Sequence, residues 1–421
     1  MKNKSIILIL FLILLLPNII PITSSYKIFS NNIIYVDDDN IWGPWDGSIE
    51  HPYRNIQDGI DESIDGDTIF TKEGVYRENL NINKEIKLIG EDRNNTVING
   101  GNKGIVVKLI SDSVTITNFI IRNSGDQDYS SYDSGIKLHS KYNKIYGNII
   151  TENNIGIFLK SSSFNEIYDN YLINNHDIAI EFEDSTNNVI TENSIIDNRI
   201  GIFLDSTPHD FNPITSQNTI NANNISNNQG IGIYIRKSSN CTVTNNQVTD
   251  NKGAGMFVTY SSNNSFCYND VASNGGLGII ISSSSDNSIK NNNIGGIRLS
   301  YSYNTTVIDN NFTSNGIMIG GNKPHEWDTH TIQNNAVNNK EIRYYKNQNN
   351  GIIPVENTGQ IILACCSNIS IQNQHLSDIY TAIQLGFSHK IHVFNNYIYS
   401  YDGISLQESN NNTIEKNNIS S

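Results

Sequence analysis

Three carboxylates, Glu181, Glu183 and Asp205, fall in neighbouring columns of a repeated pattern and are flanked by His139, Lys160 and Arg236. Carboxyl pairs are the groups that cleave glycosidic bonds when their separation is right. The column that also holds Glu181 carries Phe158, Phe203, Tyr234 and Phe257. Sugar rings expose apolar C–H faces that stack on aromatic side chains, so such a row suits a glycan platform. The chemistry on offer is polysaccharide binding, with acid–base cleavage as the further step that the carboxylates allow. The competing reading is a satellite core under surface loops beside a salt-bridged ladder of charges.

A second acidic group, Asp37, Asp38 and Asp39 with Asp46, is a candidate for Ca²⁺, a hard cation that takes several oxygen ligands. The alternative is a turn capped by its own Asx side chains near Trp42 and Trp45. Cys241, Cys267, Cys365 and Cys366 form no CxxC pair, so no metal-type spacing is present. They read as small apolar fillers of a stacked core.

The columns come from a repeat. Its anchors are Gly135-Ile-Lys-Leu138, Gly156-Ile-Phe-Leu159, Ala179-Ile-Glu-Phe182 and Gly201-Ile-Phe-Leu204. Gly232, Gly255, Gly278 and Gly296 open four more, and Ala382 and Gly403 open two after a break. Most neighbouring anchors lie 21 to 23 residues apart. With the Gly or Ala as offset 0, offsets 1 and 3 are apolar in each of these coils. Offset 11 (Ile167, Ile190, Val243) and offset 16 (Leu172, Ile195, Val248) are apolar too. Offset 14 is Asn170, Asn193, Asn246, Asn269, Asn292, Asn310, Asn396 and Asn417. Three short strands per repeat cannot bury a core alone, so the repeats must stack. Asn suits the corners, where it tolerates unusual backbone angles, and stacked amides hydrogen-bond along the axis.

Composition agrees. The 421 residues include 68 Asn and 70 Ile but only 7 Ala, which disfavours helical bundles. The expected fold is all-β, a right-handed parallel β-helix of about a dozen coils spaced ~4.8 Å apart. Offsets 2 and 4 of the first strand then face solvent, which places the aromatic and charged columns outside. Two insertions, Asp126 to Asp133 and Thr207 to Ser216, bracket that strand and would form groove walls.

Residues 1–25 read as a secretory signal: Lys2 and Lys4, then an apolar run of 11 residues from Ile6 to Leu16, then small residues. This predicts a secreted or cell-surface protein, with no transmembrane segment in the mature chain. Residues 26–77 form an opening segment, and its Ile56, Ile60 and Ile64 predict a short capping helix. Residues 78–421 form the β-helix, with an irregular linker coil at about 320–358. The last coil keeps the full pattern up to Ser421, so its uncovered edge predicts end-to-end self-association or a further domain. A formal net charge of -14 argues against nucleic acid as a partner.

Several segments resemble the NosD-type, or carbohydrate-binding and sugar-hydrolase (CASH), β-helix proteins of the pectin-lyase-like superfamily. They are Ile34-Tyr-Val-Asp-Asp-Asp-Asn40, Gly66-Asp-Thr-Ile69, Gly74-Val-Tyr-Arg-Glu-Asn79 and Ile86-Lys-Leu-Ile-Gly90. His330-Thr-Ile-Gln-Asn334 and Glu341-Ile-Arg-Tyr-Tyr345 resemble the NosD linker coil. The resemblance implies the fold, and a copper-handling role through the NosD name. The Arg-x-Pro-x-x-Arg of pectate lyases and the Gly-His-Gly of polygalacturonases are missing. After Met1 only Met256 and Met318 could serve as thioether ligands, the soft groups that select Cu(I), so no cofactor is expected apart from the Ca²⁺ candidate. The favoured function is glycan binding or a structural role at the surface. A polysaccharide hydrolase or lyase centred on Glu181, Glu183 and Asp205 is the alternative, and copper handling is the third.

Inward columns give the first test. Ile157→Asp or Leu159→Asp would bury an unpaired charge between coils and should cost several kcal/mol. Thermal unfolding followed by circular dichroism measures the loss; an unchanged midpoint in both would refute the inward assignment.

Overall fold

The structure, a computed structural model, describes residues 32–125, 132–207 and 215–421. The signal segment 1–25, the start of the opening segment and most of both insertions lie outside the described residues.

Each coil consists of short strands because each strand has only one to three inward side chains to bury. Stacked, they make three long sheets. The front sheet has 11 strands, from Leu80–Ile82 to Ile317–Gly320. The side sheet has 13, from Ile33–Val36 to Thr331–Gln333, and the back sheet has 16, from Gly74–Tyr76 to Ile404–Gln407. Pairing is parallel and in register: Ile157 meets Ile180, Ile180 meets Ile202, and Ile202 meets Ile233. Offsets 1 and 3 are therefore continuous inward columns, and Ile157, Leu159, Ile180, Phe182, Ile202 and Leu204 are fully buried. The fold is the expected right-handed parallel β-helix.

Corners are held by buried amides. Asn148, Asn170, Asn193, Asn223, Asn246, Asn269, Asn292, Asn310 and Asn335 form one ladder. Asn193 shows the unit. Its Oδ1 accepts from both the backbone N and the Nδ2 of Asn170 at 3.0 Å. Its Nδ2 donates to Asn223 Oδ1 at 3.0 Å and to the carbonyls of Ile167 and Thr191 at 2.9 Å. The buried amide is thus satisfied by its neighbours in the ladder and by backbone carbonyls. A second ladder runs from Asn153 through Asn175, Asn198, Asn228 and Asn251 to Asn274. A third column joins Asn143, Asn165, Asn188 and Asn218, and resumes at Asn264 and Asn287.

One detail differs from expectation. The left-handed backbone belongs to the residue before each offset-14 asparagine. Asp169, Glu192, Ala222, Asn245, Tyr268, Asn291 and Asp309 have φ between 50° and 57°. The turn is forced on residues as ill-suited as Ala and Tyr because the following amide is fixed in its ladder.

At the N-terminal end a helix, Ile56–Glu62, buries Ile56, Gly59 and Ile60 over the first coil. Glu78 accepts from the amides of Ile56 and Gln57 at 2.8 and 2.9 Å, and Lys84 Nζ donates to the carbonyls of Ile60 and Ser63 at 2.9 and 2.7 Å. Both helix ends are therefore satisfied by the coil they cover. Ile64 is not in the stripe. The helix stops at Glu62 and Ile64 is exposed. A strand, Ile33–Val36, also precedes the helix and pairs with Thr68–Thr71.

The expected linker is a junction between two stacks. The anchors at Ala382 and Gly403 carry the front-sheet pattern, yet their strands join the back sheet through Lys340–Lys346 and Thr358–Ala364. The edge Ile317–Gly320 is covered instead by glutamine side chains. Gln360 Oε1 accepts from Ile317 N at 2.9 Å, Gln384 Oε1 accepts from Ile319 N at 3.0 Å, and Gln407 reaches the Gly321 amide. Trp327, from the short helix His325–Asp328, is buried against Gly386, where any Cβ would overlap its ring.

Replacing Asn193 by Asp sets a carboxylate oxygen against three acceptors. It should cost about 3 kcal/mol or more. Asn245→Asp, exposed at a turn, should change stability by about 0.5 kcal/mol at most. Urea unfolding midpoints of the two variants compare them directly; equal midpoints would dismiss the ladder as a stabilising element.

Candidate functional site

Register on the front sheet turns outward residues into columns. Lys137, Phe158, Glu181, Phe203, Tyr234 and Phe257 succeed one another in one column. Lys160, Glu183 and Asp205 form the next, with Arg236 following. Glu181 therefore stands between two phenyl rings.

These columns line an open cleft of about 410 Å³, bounded by Tyr132, Asp177, Arg199, Phe203, Asp205 and Arg236. Ion pairs fix its walls. Lys160 Nζ lies 3.0 Å from Glu183 Oε1, and Arg236 grips Asp205 bidentately at 2.9 and 2.5 Å. Arg199 pairs with Asp177. Among the described residues, the Glu181 carboxyl has no hydrogen-bond or ion-pair partner. Burial, and then the nearby charges of Asp177, Glu183 and Asp205, push it up to about 7. The site thus holds one carboxyl poised to carry a proton beside carboxylates fixed in ion pairs, the division seen where one group serves as acid.

The aromatic residues are not all where expected. Phe158 points outward but is buried, because Tyr132 stacks on it with centroids 4.8 Å apart and planes 9° apart. Lys137 and Lys160 sit over the Tyr132 ring at 5.6 and 5.3 Å. Phe203 is 9% exposed and packs with Ile178 and Ile200. The expectation that offset 2 faces solvent fails for these two, since side chains flanking the strand fold over them. Tyr234 and Phe257 stay partly open and continue the stack, with centroids 4.9 Å (Phe203 to Tyr234) and 5.1 Å (Tyr234 to Phe257) apart. In the charged column Glu183 is buried, while His139 is exposed with Nδ1 2.9 Å from Lys160 O. Tyr132, Asp177 and Arg199 escaped the sequence reading. Asp177 and Arg199 lie two residues before their anchors, a column that the offsets from 0 upward never sampled.

The N-terminal aspartates act as turn and strand anchors. Asp37 Oδ1 accepts from Asp39 N at 3.0 Å, Asp38 Oδ2 from Val75 N at 3.1 Å, and Asp46 Oδ1 from Ser48 N at 2.9 Å. Hydrogen bonds from Ser48 hold the Asp46 carboxyl below its ordinary range. Among the described residues, no three or more His, Cys, Asp or Glu side chains are grouped to hold a metal ion. Copper fits no better. Met256 is fully buried in the core, and Met318 lies against the Arg298 guanidinium.

Residues 178–296 match the family described as periplasmic copper-binding protein (NosD), and residues 90–223 match the right handed beta helix region. Among curated proteins, no sequence matches. Among solved structures, a mutant tailspike protein of E. coli bacteriophage HK620, in complex with pentasaccharide, aligns at TM-score 0.51 and 10% identity. The alignment covers 90% of this chain and 80% of the tailspike chain. The A-module of Azotobacter vinelandii mannuronan C-5 epimerase AlgE6 aligns at TM-score 0.38 and 13% identity, covering 87% and 94%. The catalytic unit of the GH87 alpha-1,3-glucanase from Streptomyces thermodiastaticus aligns at 0.45 and 12%, covering 91% and 69%. The chain is a right-handed parallel β-helix protein with the pectin-lyase-like fold. Within that class it is NosD-like, by the match over its middle coils. Among the described residues no helix is long and apolar enough to cross a membrane.

The raised Glu181 carboxyl predicts a pH dependence. Unfolded, it titrates near its ordinary value of 4.5; folded, near about 7. The folded state holds the proton more tightly, so this group's contribution is full below the lower value and is lost as pH rises through the upper. Glu181→Gln should remove that decline and stabilise the protein at pH 8 by on the order of 2 kcal/mol. Thermal unfolding at pH 5 and pH 8 measures it; an identical pH slope in both proteins would show that Glu181 is solvated.

Proposed function

We propose that this is an exported, surface-associated protein that binds a polysaccharide chain across the front sheet, with the cleft around Glu181 as its central subsite. The observation that carries the reading is the Glu181 carboxyl, without a partner among the described residues, in an open cleft whose other carboxylates are held by cations. It is the group left free to accept or donate a hydrogen bond to a sugar hydroxyl. Tyr234 and Phe257 continue the same column and offer ring surface for stacking. A long, flat row of side chains at strand spacing suits an extended polymer better than a compact ligand. Export rests on the leader at residues 1–25, and the NosD family is described as periplasmic. The fold is compatible with glycan recognition, since the HK620 tailspike was solved with a pentasaccharide.

One observation favours a second reading, glycan cleavage. Glu181 protonates near about 7 beside ion-paired Glu183 and Asp205. A glycosidase needs such an acid and an ionised partner on the other side of the bond.

Tyr234→Ala should weaken retention in a polysaccharide affinity gel about tenfold while folding persists. Phe158→Ala should instead cost about 3 kcal/mol of stability, because its ring is buried under Tyr132. Wild-type protein that no polysaccharide retains would overturn the binding reading. Reducing-sugar release by wild type, lost in Glu181→Gln, would establish cleavage instead.

A further inference from the structure

The side sheet carries a second aromatic array, remote in kind from the cleft. Two adjacent coils present Tyr142, Lys144 and Tyr146, and Phe164, Glu166 and Tyr168. Lys144 pairs in register with Glu166, and Tyr146 with Tyr168. Tyr142 stacks on Phe164 with centroids 5.3 Å and planes 13° apart; Tyr146 stacks on Tyr168 at 4.8 Å and 5°. Between the two stacks, Lys144 Nζ lies 3.3 Å from Glu166 Oε2.

The outer stack is not explained by packing. Tyr142 and Phe164 are 55% and 47% exposed. Both sit at a left-handed turn, with φ 59° and 57°. The following coils fill that turn with Asn187, Gln217, Asn240, Asn263, Asp286 and Asn304, and Asn and Asp tolerate this conformation. The ladder amides Asn143 and Asn165 that follow fix this turn, and Tyr260, Tyr268 and Tyr301 are exposed in the same conformation elsewhere. What sets Tyr142 and Phe164 apart from those three is that their exposed rings stack on each other. The inner stack departs from its column in the same way, since Tyr146 and Tyr168 lie between Thr117 on one side and Thr191 and Asn221 on the other.

We propose that these two stacks form a saccharide-binding site, independent of the cleft, for a neutral polysaccharide. Ser113 and Thr117 precede Tyr142 and Tyr146 in register, so each tyrosine meets a shorter side chain on that side. Four residues separate the two tyrosines, at most about 13 Å by the rise per residue, and less because Tyr142 sits in the turn. A short oligosaccharide spans that reach, with its C–H faces on the rings and its hydroxyls on the ion pair between them. Charge selects the class. Lys144 and Glu166 neutralise each other, and the formal net charge of -14 disfavours a polyanion.

The test uses the residues that other coils place at these positions. Native gels containing hydroxyethyl cellulose, galactomannan or soluble starch are run with the full chain. The double variants are Tyr142→Asn with Phe164→Asn, and Tyr146→Thr with Tyr168→Thr. At least one polymer should retard the wild type, and each double variant should lose about tenfold or more in affinity. The Asn variant should melt no lower than wild type, because Asn relieves the turn. For a polymer held at the side sheet, Glu181→Gln with Tyr234→Ala should keep this retardation, since the tenfold weakening expected of Tyr234→Ala applies to a polymer held in the cleft. Unchanged retardation in the side-sheet variants would overturn the proposal, and so would retardation lost only in the cleft variant or wild type that none of the three polymers retards. A drop in melting temperature without a change in retardation would also overturn it, by making the stacks structural.

Discussion

The side-chain amide of asparagine is the interaction on which the rest of this structure depends. A coil that turns three times must bury backbone donors and acceptors at each corner, and an unpaired one is costly. Asn193 answers with one side chain that accepts twice and donates to three oxygens. Because each amide needs the next coil's amide at one height, the ladder also sets the register of the sheets between corners. A slip of one residue would turn the inward columns outward and break the ladders together.

Register is what makes the candidate site. Outward residues far apart in sequence stand one strand spacing apart, ~4.8 Å, only because the columns are kept in line. Phe158, Glu181 and Phe203 are such a triple. The glutamate is desolvated by rings that the repeat itself delivers, while its charged neighbours are drawn into ion pairs by the same spacing. The periodicity of the fold sets Glu181 beside Glu183 and Asp205, whose charges add to burial and to Asp177 in raising its carboxyl.

The repeat was legible because apolar offsets 1, 3, 11 and 16 and Asn at offset 14 report on burial, which recurs identically in each coil. The Asn153 and Asn143 ladders recur as regularly, but they lie outside the offsets that burial defines. The left-handed residue was misplaced by one, since Asn at a corner fits either role and only the geometry separates them. In the site, the columns themselves were readable, including Glu181, Glu183, Asp205 and Arg236. The burial of Phe158 was legible only as the competing reading, a satellite core under the surface loops, because Tyr132 belongs to an irregular stretch without a repeat to place it. Nor was the change of sheet after Gly320. The pattern at Ala382 is unaltered, and its new neighbours are chosen by Gln360, Gln384 and Trp327.

That junction has a mechanical meaning. Above it, a load along the rod is shared by three hydrogen-bonded sheets. At the junction the front sheet ends at Ile317–Gly320 and the side sheet at Thr331–Gln333, and only the back sheet continues, through one antiparallel step. The remaining load passes through side chains, Gln360 and Gln384 on the Ile317–Gly320 edge and Tyr344 and Lys346 on the carbonyls of Trp327 and His330, whose rotatable bonds yield more readily than a strand. The molecule is therefore a stiff rod with one compliant joint. Under tension from anything it holds, it would bend there first and leave the columns of the front sheet in line.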